Sequence, residues 1–284
     1  MIEARPSRTA LLVAMRRAAH QIFDKPQVFE DPLALSVISP EAGAKLRDEQ
    51  GKFGSRIGRS IRAFMATRSR LAEDELARAI ARGARQYVIL GAGLDTFAYR
   101  NPYSELGLRV FEVDHPATQA WKHKRLAAAR IAIPPSLTYV PVDFEHQTLP
   151  EGLRQAGFDS TKAAFFSWLG VTFYLERETV MGTFRFIASC ASGGGVAFDY
   201  GVPRTSVSWF ERLALAALSR RVAKAGEPFR AFFDSTSLAT ELEAMGFSSV
   251  EDLGKEEINA RYFNGRADGL RVGSGLAHLM SAER

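Results

Sequence analysis

The chain has 284 residues, of which 46% are hydrophobic and 24% charged, the balance of a soluble globule built as one large domain or a domain with a cap. No apolar stretch is long enough to span a bilayer, the N-terminus lacks the charged-then-apolar order of a signal peptide, and the single Cys190 excludes an internal disulfide framework and a multi-cysteine zinc site, so the cytoplasm is the expected location. The net charge of +5 and pI near 9.4 are basic, but Lys and Arg are spread without a dense run, which argues against nucleic acid as a partner.

In chain order, residues 1–66 read as a helical cap. Thr9 to Ala19 places Leu11, Leu12, Met15 and Ala19 at helical spacing, with Arg16 and Arg17 on another face. Pro26 and Pro32 break the chain, and Asp31-Pro32 predicts a further helix with Asp31 as N-cap. Gly51, Gly54 and Gly58 then predict a flexible basic connection. Such a cap is either mobile beside a ligand site or simply a packed pair of helices. The next helix runs from about Ala66 to Ala81 and ends at Gly83. Arg68 and Arg70 lie at its start, where a guanidinium fork could hold a carboxylate, although an arginine on a helix is by itself only a solvated charge.

Tyr87 to Leu90 is an apolar run that stops at Gly91-Ala92-Gly93, the pattern of a strand covered on both faces and followed by a tight turn. A second run, Val110 to Val113, ends at Asp114, which lies 21 positions after Gly93. A carboxylate at that distance suits a ribose diol, because it accepts hydrogen bonds from both hydroxyls. The pair predicts the nucleoside-binding start of a βαβ fold. A dinucleotide site would put a third glycine where Thr96 stands, and Asp95 would repel a pyrophosphate. A cofactor without phosphate and with positive charge, S-adenosylmethionine, fits the loop better than NAD.

Beyond it, Pro116 opens a helix over Ala117 to Ala132, and Leu137 to Val142 is a third strand ending at Asp143-Phe144, an acidic and aromatic pair suited to an adenine. Ala163 to Trp168 is a fourth strand, and the aromatic loop Leu169 to Tyr174 after it should floor the pocket. A helix over Glu176 to Ala191, a turn at Gly193-Gly194-Gly195 and a strand over Val196 to Tyr200 follow. Cys190 falls in that helical pattern as a small buried hydrophobe. Val202 to Phe233 predicts a helical insertion over the substrate side. Ser237 to Met245 is a last helix, and strands near Phe247–Leu253 and Gly275–Ala282 close the chain.

These motifs together resemble the leucine carboxyl methyltransferase family, in its bacterial S-adenosylmethionine-dependent O-methyltransferase branch. The matching stretches are Glu30-Asp31-Pro32-Leu33-Ala34, Thr67-Arg68-Ser69-Arg70, Leu90-Gly91-Ala92-Gly93-Leu94-Asp95-Thr96 with Tyr99-Arg100, Phe111-Glu112-Val113-Asp114, Val142-Asp143-Phe144, Tyr174-Leu175 and Phe198-Asp199-Tyr200. The resemblance implies an α/β class I methyltransferase fold, a Rossmann-like, mostly parallel seven-stranded sheet with helices on both faces. It also implies an N-terminal helical lid over 1–66 and a catalytic domain over 67–284 with the insertion around 202–233. It implies that Arg68 binds the cofactor carboxylate, that Gly91, Ala92 and Gly93 pass beneath its methionyl part, that Asp114 holds the ribose, and that Asp143 and Phe144 take the adenine. Leu169-Gly170 stands where family members often carry Glu-Gly, which replaces a polar cofactor contact by an apolar one at Leu169.

Transfer of a methyl group to an ionised carboxylate needs no general base, whereas a hydroxyl acceptor would need one, with His115 or a pocket tyrosine as candidates. Tyr174 and Tyr200 are the candidate pocket walls, or else core tyrosines. The other histidines, His20, His123, His146 and His278, read as surface or capping residues, and their spacing provides no metal site. The expected substrate is a small molecule or a peptide terminus; the motifs leave the acceptor and the oligomeric state open. A catalytically silent adenosyl-binding module is the rival from another class, kept alive by Leu169.

Overall fold

The computed structural model describes residues 8–48, 54–143, 147–203 and 229–284. The predicted insertion helix and Phe144 therefore lie outside the described residues. Seven strands form one sheet: β1 (Gln86–Leu90), β2 (Arg109–Asp114), β3 (Leu137–Pro141), β4 (Ala164–Trp168), β5 (Gly195–Gly201), β6 (Ser248–Leu253) and β7 (Ala277–Glu283), in the order β3-β2-β1-β4-β5-β7-β6. The β2–β3, β1–β4 and β4–β5 pairs are parallel; β7 runs antiparallel to both β5 and β6. This is the Rossmann-like class I methyltransferase topology implied by the resemblance. Every residue of β1, β4 and β5 is buried, which is why these segments read as mainly apolar runs, with only Gln86, Ser167 and Asp199 as polar members.

The helices are α1 (Arg8–Phe23), α2 (Pro40–Asp48), α3 (Arg56–Ala81), α4 (Pro116–Ala128), α5 (Leu149–Gln155), α6 (Arg177–Ser189), α7 (Ser235–Ala244) and α8 (Lys255–Tyr262). Helix α4 starts where Pro116 predicts, with the His115 side chain accepting the Ala117 N–H as its cap. Several expectations differ from the structure. No helix begins at Asp31-Pro32; Asp31 instead accepts the Leu33 and Ala34 N–H groups and closes a turn. Gly58 lies inside α3, which starts ten residues before Ala66. The β1–β2 connection contains no α-helix, only two 3₁₀ turns, Phe97–Arg100 and Ser104–Leu106. Helices α2, α5 and α8 carry too few periodic apolar residues to stand out in the sequence.

The chain divides into two compact units, one comprising Met1–Arg70, Gly91–Phe158 and Asn259–Gly273, the other Leu71–Leu90, Asp159–Ile258 and Ser274–Arg284. In the first unit, Ala14, Met15, Ala18 and Ala19 of α1 pack with Ala34, Ile38, Leu46 and Leu94. The small face of α1 therefore lies on the glycine loop itself, and Leu12, expected on the apolar stripe, is instead exposed. In the second unit, Phe166, Trp168, Phe184, Phe198 and Tyr200 form a buried aromatic layer across β4, α6 and β5. Cys190 is buried there, and burial pushes its thiol up to about 11, so it remains an inert apolar group. Among the described residues no helix is long and apolar enough to cross a membrane.

Candidate functional site

The turn after β1 is built by two glycines with left-handed backbone, Gly91 at φ 65° and Gly93 at φ 50°. Their conformation lets the Gly91 and Ala92 N–H groups both reach the Val113 carbonyl, at 2.9 and 3.1 Å. The Gly93 N–H then donates to Asp114 Oδ2 at 2.6 Å, and the His115 N–H donates to Oδ1 at 2.7 Å. Each carboxylate oxygen is thus oriented by one backbone donor and keeps lone-pair capacity for a further one. Burial raises the Asp114 pKa, against the lowering effect of those two N–H donors and of Lys122. A half-buried, backbone-oriented carboxylate at the carboxyl end of a parallel strand suits a vicinal diol.

Arg68 lies in the same compact unit and is buried, on α3 between Thr67 and Ser69, whose hydroxyls bond back to the Ala63 and Met65 carbonyls. A buried arginine is no solvated surface charge. Asp143 follows β3 half-buried, with its carbonyl accepting the Gln147 N–H at 2.8 Å. The next donor, Val142 N–H, bonds the Asp114 carbonyl at 3.0 Å and ties the two strand ends together.

The loop's own charges are spent internally. Arg17 of α1 donates to the Leu94 carbonyl at 2.6 Å and to Asp95 Oδ2 at 3.2 Å, and Asp95 Oδ1 accepts the Phe97 N–H at 2.8 Å. Burial works to raise the Asp95 pKa, but Arg17, Lys122 and Arg100 outweigh it and hold the carboxyl below its usual range. Thr96 is fully buried, with its hydroxyl donating to Asp31 Oδ2 at 2.8 Å. Asp95 is therefore a charge-compensated structural group, and its charge does not bar a pyrophosphate from the loop. A dinucleotide pyrophosphate rests on a helix N-terminus, whereas here the glycine loop leads into a four-residue 3₁₀ turn.

In the second unit the loop after β4 is shaped by Asp199, whose buried Oδ1 accepts the Gly170 N–H while its carbonyl accepts the Thr172 hydroxyl. Gly170 sits at φ 75°, and Leu169 beside it is half-buried. Tyr174 is half-buried and stacks on Phe229 with ring centroids 5.7 Å apart. Tyr200 differs: its ring is fully buried and its hydroxyl donates to Asp252 Oδ1 at 2.7 Å, while Asp252 Oδ2 pairs with His278 Nδ1 at 2.8 Å.

Of the histidines read as surface or capping residues, His123 is exposed, His146 lies outside the described residues, and His20 departs from the expectation. His20 is completely buried: Nδ1 pairs with Asp24 at 2.8 Å, and Nε2 accepts the Val28 and Phe29 N–H groups. His115 Nδ1 is engaged as the α4 cap. No cluster of metal-ligating side chains occurs among the described residues. Sequence reasoning missed the ties of Arg17 and Asp31 to the glycine loop, because their partners there lie tens of positions away. The juxtaposition of Asp31 with Thr96 has no local signal at all.

The leucine carboxyl methyltransferase family model matches residues 10–188. The chain is 32% identical to YktD of Bacillus subtilis (strain 168), over 98% of both chains; that protein is provisionally named an S-adenosyl-L-methionine-dependent methyltransferase. It is 31% identical to a similarly named protein of Mycobacterium ulcerans (strain Agy99), over 68% of this chain and 66% of the other. A solved structure of a provisionally named methyltransferase from Thermobifida fusca covers the whole chain, and 96% of its own, with a TM-score of 0.60 at 17% identity, a likeness of fold.

Proposed function

The chain belongs to the leucine carboxyl methyltransferase family, and from that premise we propose that it is an S-adenosylmethionine-dependent methyltransferase acting on oxygen. The observation that carries the proposal is the 2.6 Å bond from the Gly93 N–H to Asp114, a ribose-type carboxylate held rigidly against a glycine turn. The relatives of Bacillus and Mycobacterium, named for the same cofactor, support it. Gly91, Ala92 and Gly93 supply bare backbone for close approach, Asp114 accepts the ribose hydroxyls, Asp143 with Phe144 takes the adenine, and Arg68 pairs with the methionyl carboxylate. Leu169 lines the cofactor with an apolar side chain and Tyr174 stands on the acceptor side, whereas Tyr200, fully buried with its hydroxyl on Asp252, takes the other role open to it, that of a core tyrosine. The lid is assigned to residues 1–66 and the catalytic domain to 67–284, with the acceptor-side insertion around 202–233.

The cofactor supplies an electrophilic methyl group on a sulfonium. The chain's part is to hold the acceptor oxygen in line with it and to exclude water. With a carboxylate acceptor no base is required, since that group is ionised near neutrality. A small carboxylic acid or a peptide terminus fits this reading best, because His115 Nδ1 is occupied in capping and the Tyr200 hydroxyl in bonding Asp252.

Calorimetric titration with S-adenosylmethionine, S-adenosylhomocysteine and NAD tests the assignment, on the natural protein and on Arg68→Ala and Asp114→Ala. Binding of both adenosyl compounds but not NAD, weakened at least about tenfold in each variant, is the expected result. Transfer of a labelled methyl to a panel of carboxylic acids and phenols then fixes the acceptor class. Binding without transfer to any of them would favour the silent adenosyl-binding module.

A further inference from the structure

Beneath Asp114 lies a second, fully buried charge pair. Glu112 and Asp114 point to the same face of β2, two residues apart. Glu112 Oε2 accepts a hydrogen bond from Lys122 Nζ of α4 at 2.6 Å, with the two side chains 1% and 2% exposed. Glu112 Oε1 is buried and has no hydrogen-bond partner. The Lys122 ammonium also stands 5.1 Å from the Tyr99 ring centroid, and the Tyr99 hydroxyl meets that of Tyr139 at 2.6 Å. A lysine is almost never fully buried unless it is paired, and a pair with one orphaned oxygen is a poor way to gain stability.

We propose that Lys122 is a positioning residue for cofactor binding, one that never touches the cofactor but keeps Asp114 ionised so that it can accept both ribose hydroxyls. This rests on the reading of Asp114 as the ribose carboxylate. The charge count explains the need. Three carboxylates, Asp95, Glu112 and Asp114, converge in this unit, and desolvation works against the charged form of each. Asp95 has Arg17 and Arg100 as cations besides Lys122. Glu112 and Asp114 share Lys122, which favours the ionised form of both. The other titratable groups facing them are Tyr99 and Tyr139, both raised by burial and neutral near pH 7, and His115 at the start of α4. Glu112, held by Lys122, presents a like charge two residues from Asp114 on the same face of β2.

The sign follows. A neutral carboxyl offers fewer acceptor sites, so affinity falls as pH drops through the Asp114 ionisation. Removing the cation moves that fall to higher pH; removing the neighbouring anion moves it lower. Affinity for S-adenosylhomocysteine is therefore measured from pH 5 to 9 on the natural protein, Lys122→Met and Glu112→Gln. In Lys122→Met the acid limb should move up by about one pH unit, roughly tenfold weaker binding there, with recovery at alkaline pH. In Glu112→Gln, which keeps side-chain shape and remains informative should Lys122→Met fail to fold, the limb should move down. A merely structural pair would weaken binding evenly at every pH in both variants, and that result, or an unmoved limb in Glu112→Gln, overturns the proposal. If the natural protein binds no adenosyl compound, the functional reading falls and takes this one with it. If it binds and neither limb moves, this one falls alone.

Discussion

Arg17 Nη1 stands 3.2 Å from Asp95 Oδ2 across 78 residues of sequence, while Nη2 of the same guanidinium donates to the Leu94 carbonyl. One buried side chain of the first helix thereby fixes both the charge and the backbone of the glycine turn. It also lies 3.4 Å from Asp31 Oδ2, so its loss leaves two carboxylates short of a cation. Arg17→Met keeps the aliphatic stem and removes the charge. It should cost about 3 kcal/mol in urea unfolding, the penalty for breaking one side of a buried pair, and weaken adenosyl binding as well. A cost below about 1 kcal/mol would mean that the turn holds without α1.

Asp24 is the acid-sensitive point of the N-terminal region. Burial favours its neutral form, but the Arg62 fork at 2.6 and 2.7 Å and His20 outweigh that and hold its pKa at about 2. A depressed folded-state pKa contributes stability above the unfolded value of 3.8, lost as pH falls toward 2. Asp24→Asn should therefore be less stable at pH 7 by about 2 kcal/mol. The gap to the natural protein should close between pH 4 and pH 2, as read from urea midpoints across that range. A constant gap would assign the loss to packing alone.

Gly93 and Gly83 separate backbone strain from site geometry. Both have positive φ, 50° and 105°, so alanine at either costs about 1 kcal/mol of conformational strain. A Cβ at Gly83 meets nothing within 4 Å, whereas one at Gly93 comes within 3.2 Å of the Ala10 Cβ. Gly83→Ala should lose stability and keep adenosyl affinity. Gly93→Ala should lose both, because the Asp114 bond depends on where the Gly93 N–H points. Equal affinities in calorimetry would remove the glycine turn from the binding site.

What the sequence discloses here is whatever has a local pattern. Burial on both faces makes β1, β4 and β5 mainly apolar runs, and the interval from Gly93 to Asp114 lies within one β1–β2 segment, so the strands, the glycine turn and the carboxylate bonded to it are legible. The turn at Asp31 misleads because a capping Asp-Pro opens turns as well as helices. Here the side chain is claimed by Thr96 and by Arg100, whose Nε lies 3.7 Å from it. Arg17 looks like a solvated face, and Lys122 like one charge in a polar helix, because only the fold reveals a carboxylate opposite each. His20 is illegible for the same reason.

Tyr200 in β5 and Tyr174 in the 3₁₀ turn after β4, both candidate pocket walls by sequence, should respond differently to substitution. The Tyr200 hydroxyl is pushed well above its ordinary pKa by burial and by Asp252, so it stays a neutral donor at any working pH. Tyr200→Phe removes one hydrogen bond to a carboxylate that retains His278, which should cost about 1 kcal/mol of stability. With its ring sealed in the core and its hydroxyl turned to Asp252, that variant should keep kcat and KM within about twofold, apart from any loss of folded protein. Tyr174→Ala removes a half-exposed ring stacked on Phe229. It should change stability little and raise KM for the acceptor, since the ring borders the loop shaped by Asp199 and Gly170. Steady-state kinetics on both variants, with the acceptor found by methyl labelling, decide the matter. A fall in kcat for Tyr200→Phe at unchanged stability would make its hydroxyl a participant in the reaction rather than a strut of the sheet.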